Sequence, residues 1–164
     1  LVTIGVISDT HIPARSDDIA SEILSAFEKV DCIIHAGDIV EMRVIEELQQ
    51  IAPVHAVAGN MDSDEIKSVL PGKMVIEIAG VRIGITHGAG SPIGIKKRIL
   101  RLFKNDNVDC VVYGHTHTAE KNIINGVLMF NPGSAADKVY MSRQSFGMLF
   151  ITEEKNIEAE IFTI

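Results

Sequence analysis

Val2-Thr-Ile-Gly-Val-Ile-Ser-Asp-Thr-His11 decides the reading of this chain. Its first six residues form a β-branched run, the pattern of a buried strand, and Ser8-Asp9 closes the run in a polar loop. A strand that runs into Asp-Thr-His, and not into a glycine-rich turn, does not open a dinucleotide-binding crossover. It delivers a carboxylate and an imidazole at i and i+2, so an extended backbone points Asp9 and His11 to the same side.

Outward from that strand, residues 17–30 carry Ile19, Ile23, Leu24 and Phe27 at helical spacing, with Ser16 or Asp17 available as the N-cap. A strand is predicted over 32–35, and a helix over 41–51 through Val44, Ile45, Leu48 and Ile51. Another strand over 53–57 leads to Gly59-Asn60. The first third therefore reads βαβαβ. Right-handed crossovers make such strands parallel and collect Asp9, Asp38 and Asn60 on one edge.

After Lys73 the style changes. Strands over 74–78 and 81–86 flank Ala79-Gly80, a hairpin connection, and 93–103 reads as a helix. Residues 109–113 form a buried strand, and two further hairpins turn near Asn125-Gly126 and over 154–156. The C-terminal half is expected to be richer in antiparallel sheet. With no repeat, low-complexity tract or linker, the chain reads as a single domain over 1–164.

Hydrophobic residues make up 46% of the 164, aromatics only 5%, and Trp is absent, which predicts an aliphatic core built mainly from Ile and Val. The formal charge of −7 argues against broad nucleic-acid binding, which needs Lys and Arg to displace phosphate counterions. It does not exclude an anionic substrate, because bound metal ions are missing from a sequence charge count. Cys32 and Cys110 sit in apolar runs as small buried hydrophobes, too few for a disulfide framework. Without a basic leader, a signal segment or an apolar stretch near the ~20 residues of a membrane helix, the expected setting is the cytoplasm, with no membrane partner.

Five polar clusters stand at the ends of predicted strands: Asp9-Thr-His11, Gly37-Asp38, Gly59-Asn60-Met-Asp62, His87-Gly88 and Gly114-His115-Thr-His117. Neutral imidazole, carboxylate and amide oxygen are the mixed donors that suit Mn, Fe, Zn or Ni, and thiolates are absent. Each D-x-H or H-x-H triplet can grip one metal or straddle two. The glycines beside Asp38, Asn60, His87 and His115 fit backbone that turns sharply or lies close to ions and a phosphate.

In this order the clusters resemble the calcineurin-like metallophosphoesterase superfamily, whose pattern is D-x-H, G-D, G-N-H-D or E, H and G-H-x-H. The short spacing, Ser8-Asp9-Thr-His-Ile-Pro-Ala-Arg15 and Asn131-Pro-Gly-Ser134 are similar to the small prokaryotic phosphodiesterases related to the retromer scaffold subunit. The resemblance implies an α/β fold, a four-layer β-sandwich of two mixed sheets flanked by helices. It also implies a first metal on Asp9, His11 and His117, a second on Asn60, His87 and His115, and Asp38 bridging both. Two divalent ions, manganese foremost, would share a hydroxide that attacks a small phosphoester, so that no nucleophilic side chain is required. Asp38 and Asn60 are then the residues nearest the reaction, and a diester is the expected substrate.

One position departs from the pattern. Met61 stands where the family has a histidine that stabilises the transition state or protonates the leaving oxygen. Asp62, which orients that histidine, reads equally well as an N-cap for the helix opening at Ser63. His35 is expected to be a satisfied structural histidine near Asp38, and His55 a strand residue. Arg15, Arg98 and Arg143 are candidates for phosphate contact among which sequence does not choose. A binding scaffold on the same fold is the alternative to an enzyme. A serine or cysteine hydrolase is disfavoured, with no G-x-S-x-G elbow and both cysteines in apolar strands.

Overall fold

The computed structural model describes residues 1–136 and 143–164. Strands β1 (Val2–Ile7), β2 (Cys32–His35) and β3 (Val54–Ala56) pair in parallel, as the βαβαβ reading requires. Helices α1 (Ser21–Phe27) and α2 (Arg43–Gln49) make the two crossovers. A short helix α3 (Asp64–Val69) then leads to the hairpin of β4 (Lys73–Ile78) and β5 (Val81–Thr86). Next come α4 (Ile95–Leu102), β6 (Cys110–Val112), β7 (Glu120–Ile124), β8 (Val127–Asn131), β9 (Ser145–Ile151) and β10 (Ile157–Thr163).

The strands form two five-stranded mixed sheets, ordered β10-β9-β1-β2-β3 and β4-β5-β6-β8-β7. The second is less antiparallel than its sequence suggests. Although β4 and β7 pair antiparallel at its edges, β5, β6 and β8 run parallel through its centre. The carboxyl ends of β5 and β6 therefore deliver His87 and His115 in the same way that β1 and β2 deliver Asp9 and Asp38.

Alternation along the strands sorts the side chains into layers. Ile4 and Val6 of β1 join Ile34, Ile83, Ile85, Val112 and Phe130 between the sheets. Ile7 and Ile33 point the other way and pack with Ile23, Phe27, Leu48 and Ile66 of the first three helices. On the far side of the second sheet, Ile95, Ile99 and Phe103 cover Val111, Tyr113 and Met129. The result is the expected four layers, with a mostly aliphatic core. Two glycines set how close the helices come: a Cβ at Gly5 would lie 2.7 Å from the Phe27 ring, and one at Gly84 2.7 Å from the Phe103 ring.

The hairpin turns follow their residues. Ala79-Gly80 and Asn125-Gly126 both take positive φ (51° and 76°; 51° and 79°), which suits the twist of the flanking strands. Helix starts differ from expectation. Neither Ser16 nor Asp17 caps α1, whose N-cap is Ala20. Ser16 Oγ instead donates to the Asp18 carbonyl, and Arg43 donates to Asp18 Oδ1 and the Asp17 carbonyl, holding 16–18 as a loop. Gly94, at φ 75°, delays the start of α4 to Ile95. Among the described residues no helix is long and apolar enough to cross a membrane.

Candidate metal centre

Asp9, Asp38 and His87 meet where the carboxyl ends of the two sheets come together, and all three are buried. Asp38 Oδ2 lies 3.1 Å from His87 Nε2 and 3.6 Å from His11 Nε2. Asp9 Oδ1 lies 3.2 Å from His117 Nε2, 3.6 Å from His11 Nε2 and 3.8 Å from His87 Nε2. Two sets of donors result, Asp9-His11-His117 and Asp9-Asp38-His87, each with its ligand atoms within 4.8 Å of one another. Asp9 is common to both, and Asp38 Oδ2 also faces a histidine of each set.

Asn60 and His115 stand at the rim. Asn60 is exposed, and its Oδ1 is 3.1 Å from His115 Nδ1, while His115 Nε2 is 2.8 Å from the Gly90 carbonyl. A proton on Nε2 satisfies Gly90 and leaves Nδ1 and the amide oxygen as a neighbouring donor pair. The His87 and His115 rings are 5.3 Å apart, so this pair adjoins the buried set.

The loops that carry these groups are strained. Asp9, His11, Asp38, His115 and His117 all have positive φ, between 45° and 70°, a region that residues with a Cβ seldom occupy. Close packing fixes them there. A Cβ at Gly59 would lie 2.2 Å from Asp38 Oδ1, and one at Gly114 2.0 Å from Ser8 Oγ. Ser8 Oγ donates to Asp9 Oδ2 at 2.6 Å, the His115 N–H donates to the same oxygen at 3.2 Å, and the Met61 N–H donates to Asp38 Oδ1 at 2.8 Å. The second oxygen of each carboxylate is thereby held toward the histidines.

Asp62 has the largest part in this scaffolding, and it is not an N-cap. Its carboxylate accepts the backbone N–H groups of Asp38 (3.1 Å), Ile39 (2.7 Å), Val40 (2.7 Å) and Gly59 (2.7 Å). Ser63 caps α3 instead, accepting from the Ile66 N–H. Four donors converging on one buried carboxylate tie the loop after β2 to the loop after β3. Met61, free of that duty, is exposed at the rim (61%), with no proton to give.

Sequence reasoning missed two further supports. Asn131 Nδ2 donates to the Gly114 carbonyl and Thr116 Oγ1, and Ser134 Oγ donates to the Asp9 carbonyl. Both lie in Asn131-Pro-Gly-Ser134, where their position at the end of a strand was the available signal. His35 is structural as expected. Its Nδ1 accepts the Gly37 N–H at 3.2 Å, so its proton sits on Nε2, 3.1 Å from Thr10 Oγ1. His55 lies in β3 away from the cluster, half-buried. Arg15 and Arg143 are exposed, and Arg98 donates to the carbonyls of Ala89, Ser91 and Ile93.

The electrostatics fit a cation. Burial would raise the Asp9 carboxyl, but the imidazoles of His11 and His117 and the charge of His87 hold it well below the usual carboxylate range. Asp38 is likewise pushed up by burial and brought down further by His87 and the Met61 N–H. Burial lowers His87, yet Asp38 and Asp9 outweigh it and raise the ring. Two ionised carboxylates thus draw positive charge into the cluster. Asp9 Oδ1 and His87 Nε2 are both buried in the cluster without a hydrogen-bond partner. Their 3.8 Å approach, that of Asp9 Oδ1 to His117 and the 3.1 Å approach of Asp38 Oδ2 to His87 Nε2 are charge contacts that lack hydrogen-bond geometry, and buried polar atoms so placed call for a metal or an equivalent partner.

The chain belongs to the calcineurin-like phosphoesterase superfamily, whose domain model matches residues 2–154. It is 39% identical over 132 residues to a probable metallophosphoesterase of Methanocaldococcus jannaschii, covering 80% of this chain and 67% of that protein. It is 31% identical over 142 residues to a phosphodiesterase of the same archaeon, covering 79% and 82%. Among solved structures, Vps29 of Entamoeba histolytica complexed with Zn²⁺ superposes with a TM-score of 0.79 at 25% identity, covering 99% of each chain. The two mixed sheets with flanking helices are the metallophosphoesterase fold, and the family's dependence on metal agrees with the Asp and His groups above.

Two predictions follow from these contacts. Asp62→Asn replaces an acceptor oxygen with an N–H₂ group facing backbone donors; it is expected to lower unfolding stability by about 3 kcal/mol and metal affinity by roughly ten- to a hundredfold. Urea unfolding and calorimetric metal titration check this, and wild-type values in both would remove the role given to Asp62. Burial pushes His35 down from 6.5 to about 3, so the folded ring stays neutral while the unfolded chain takes up a proton below about 6.5. Its contribution to stability is therefore complete above about 6.5 and lost as pH falls toward about 3, by up to about 1.4 kcal/mol per pH unit. In the metal-stripped protein, His35→Asn should flatten the fall in stability between pH 6.5 and 4; equal slopes for parent and variant would mean that His35 does not titrate on unfolding.

Proposed function

We propose that this protein is a phosphodiesterase that works with two divalent transition-metal ions, manganese foremost. The observation that carries this reading is the pair of donor sets sharing Asp9, with Asp9 Oδ1 and His87 Nε2 buried and unpartnered at their junction. Asp9, His11 and His117 would hold one ion. His87, Asn60 and His115 would hold the other, with Asp38 reaching both. When bound, such ions activate water and neutralise charge on the phosphoryl oxygens.

The chain's own groups define the rest of the chemistry. Among the described residues no side chain near the cluster is set up as a nucleophile: Ser8 Oγ donates to Asp9, Thr10 Oγ1 is engaged with His35 and the Ile39 carbonyl, and both cysteines are buried, with burial pushing Cys32 up to about 11. Water is then the source of the attacking oxygen. Asp38, fixed by the Met61 N–H, keeps one oxygen turned into the cluster as negative charge. Met61 offers no acid for the leaving oxygen, so leaving-group charge is met without side-chain protonation, which favours good leaving groups such as substituted phenols. The cytoplasm, where Cys32 and Cys110 stay reduced, is the proposed setting.

The likeness to Vps29 motivates a second reading, a scaffold on the same fold without turnover. One assay separates the two. The parent protein is expected to hydrolyse an activated aryl phosphodiester with added manganese, to stop on chelation and recover on re-addition, and to lose at least ~10²-fold in kcat/KM in Asp38→Asn. It should also turn over the diester faster than the matching monoester. Undiminished rates after chelation would remove the metal mechanism, and no turnover with any of manganese, iron, zinc or nickel would favour the scaffold.

A further inference from the structure

Next to His87 and Asn60 the surface opens into a cavity of about 650 Å³. That volume is within the ~300–1,000 Å³ typical of small-molecule sites. Its walls come from the loop after β3, the residues before β4, the end of β5 and one face of α4. Ile95, Ile99 and Leu102 supply the apolar side, with the two isoleucines buried and Leu102 47% exposed at the mouth.

The polar side chains of this wall are already committed. Thr86 Oγ1 donates to the Gly72 carbonyl at 3.1 Å, and the Arg98 guanidinium is spread over three backbone carbonyls. His87 Nδ1 is 2.7 Å from the Ala36 carbonyl. Among the described residues no Asp, Glu or Lys lines the cavity. Uncommitted side-chain polarity is found at one end, at the exposed Asn60 amide and at His87 Nε2, beside the place where the two donor sets meet. The cavity is thus polar where a phosphoryl group would sit and apolar beyond it.

We propose that this cavity is a substrate subsite that takes the alcohol portion of a phosphodiester, and that it selects an uncharged aryl or alkyl group over a sugar or a charged headgroup. The proposal rests on reading the adjoining cluster as a phosphoester site, and it names the substrate class of that site. An aromatic or alkyl group placed there exchanges water for Ile95, Ile99 and Leu102. A sugar placed there gives up hydrogen bonds to water that the engaged Thr86 and Arg98 side chains do not replace. Arg98, by the same account, positions the loop over 89–93 and does not contact phosphate.

The test uses zinc-loaded protein with labelled isoleucine methyl groups, and non-hydrolysed probes read by NMR. Diphenylphosphinate, whose P–C bonds leave no ester to hydrolyse, is expected to shift the Ile95 and Ile99 methyl resonances saturably and to bind roughly tenfold tighter than dimethylphosphinate, the factor for burying on the order of 60 Å² of ring surface. Two variants address the wall from different sides. Leu102→Asp puts a charge at the mouth, and Gly72→Leu adds bulk where a Cβ would meet no heavy atom within 4 Å. Each should bring the two affinities to within about threefold. Unmoved isoleucine methyls, or a preference for the phenyl probe unchanged in both variants, would overturn the subsite. Turnover of aryl diesters is measured separately: saturable shifts at these methyls with no hydrolysis would leave the subsite standing and remove the phosphodiesterase reading.

Discussion

Asp9 and Asp38 are carboxylates buried at the meeting of two sheets, and most of the polar structure around them serves to keep them ionised and aimed. An unpaired buried charge costs several kcal/mol, so a carboxylate survives there only among donors and opposite charge. The chain supplies both. Ser8, the His115 N–H and the Met61 N–H occupy the outer oxygens, and the imidazoles of His11, His87 and His117 surround the inner ones. Behind them Asp62 collects four backbone N–H groups, and Ser134 and Asn131 brace the loops that bear Asp9 and His115. The positive φ values at Asp9, Asp38 and the three loop histidines are tolerated because these contacts over-determine the backbone.

Strand-end chemistry was the part of the protein most legible in the sequence. The β-branched runs before Asp9, Asp38, His87 and His115 mark strands, and polar residues that follow buried strands of parallel sheets collect on one edge. The hairpin turns at Ala79-Gly80 and Asn125-Gly126 are equally local, since the turn conformation follows from the residues themselves. The four layers came from the family resemblance and not from the pattern, because alternation says that a strand has two faces without saying what covers each.

What sequence did not reveal depends on long-range contacts. Asp62 precedes a helix and looks like a cap, yet its partners are more than twenty residues earlier in three of four cases. The loop over 16–18 looks like a helix start until Arg43 and the Ser16 hydroxyl claim its polar groups. Arg98 looks like a phosphate ligand until three carbonyls surround it. The parallel centre of the second sheet is also non-local, since β8 pairs with β6 after the intervening hairpin strand β7 has moved to the edge.

The account turns on cations at the junction of the two donor sets. Anomalous scattering at the manganese, iron, nickel and zinc edges, from crystals of the protein as purified, tests it most directly. The account predicts two peaks, one in contact with Asp9, His11 and His117 and the other in contact with His87, Asn60 and His115, with Asp38 beside both. A metal-loaded crystal with no peak at these residues, or with a single ion elsewhere on the surface, would contradict it.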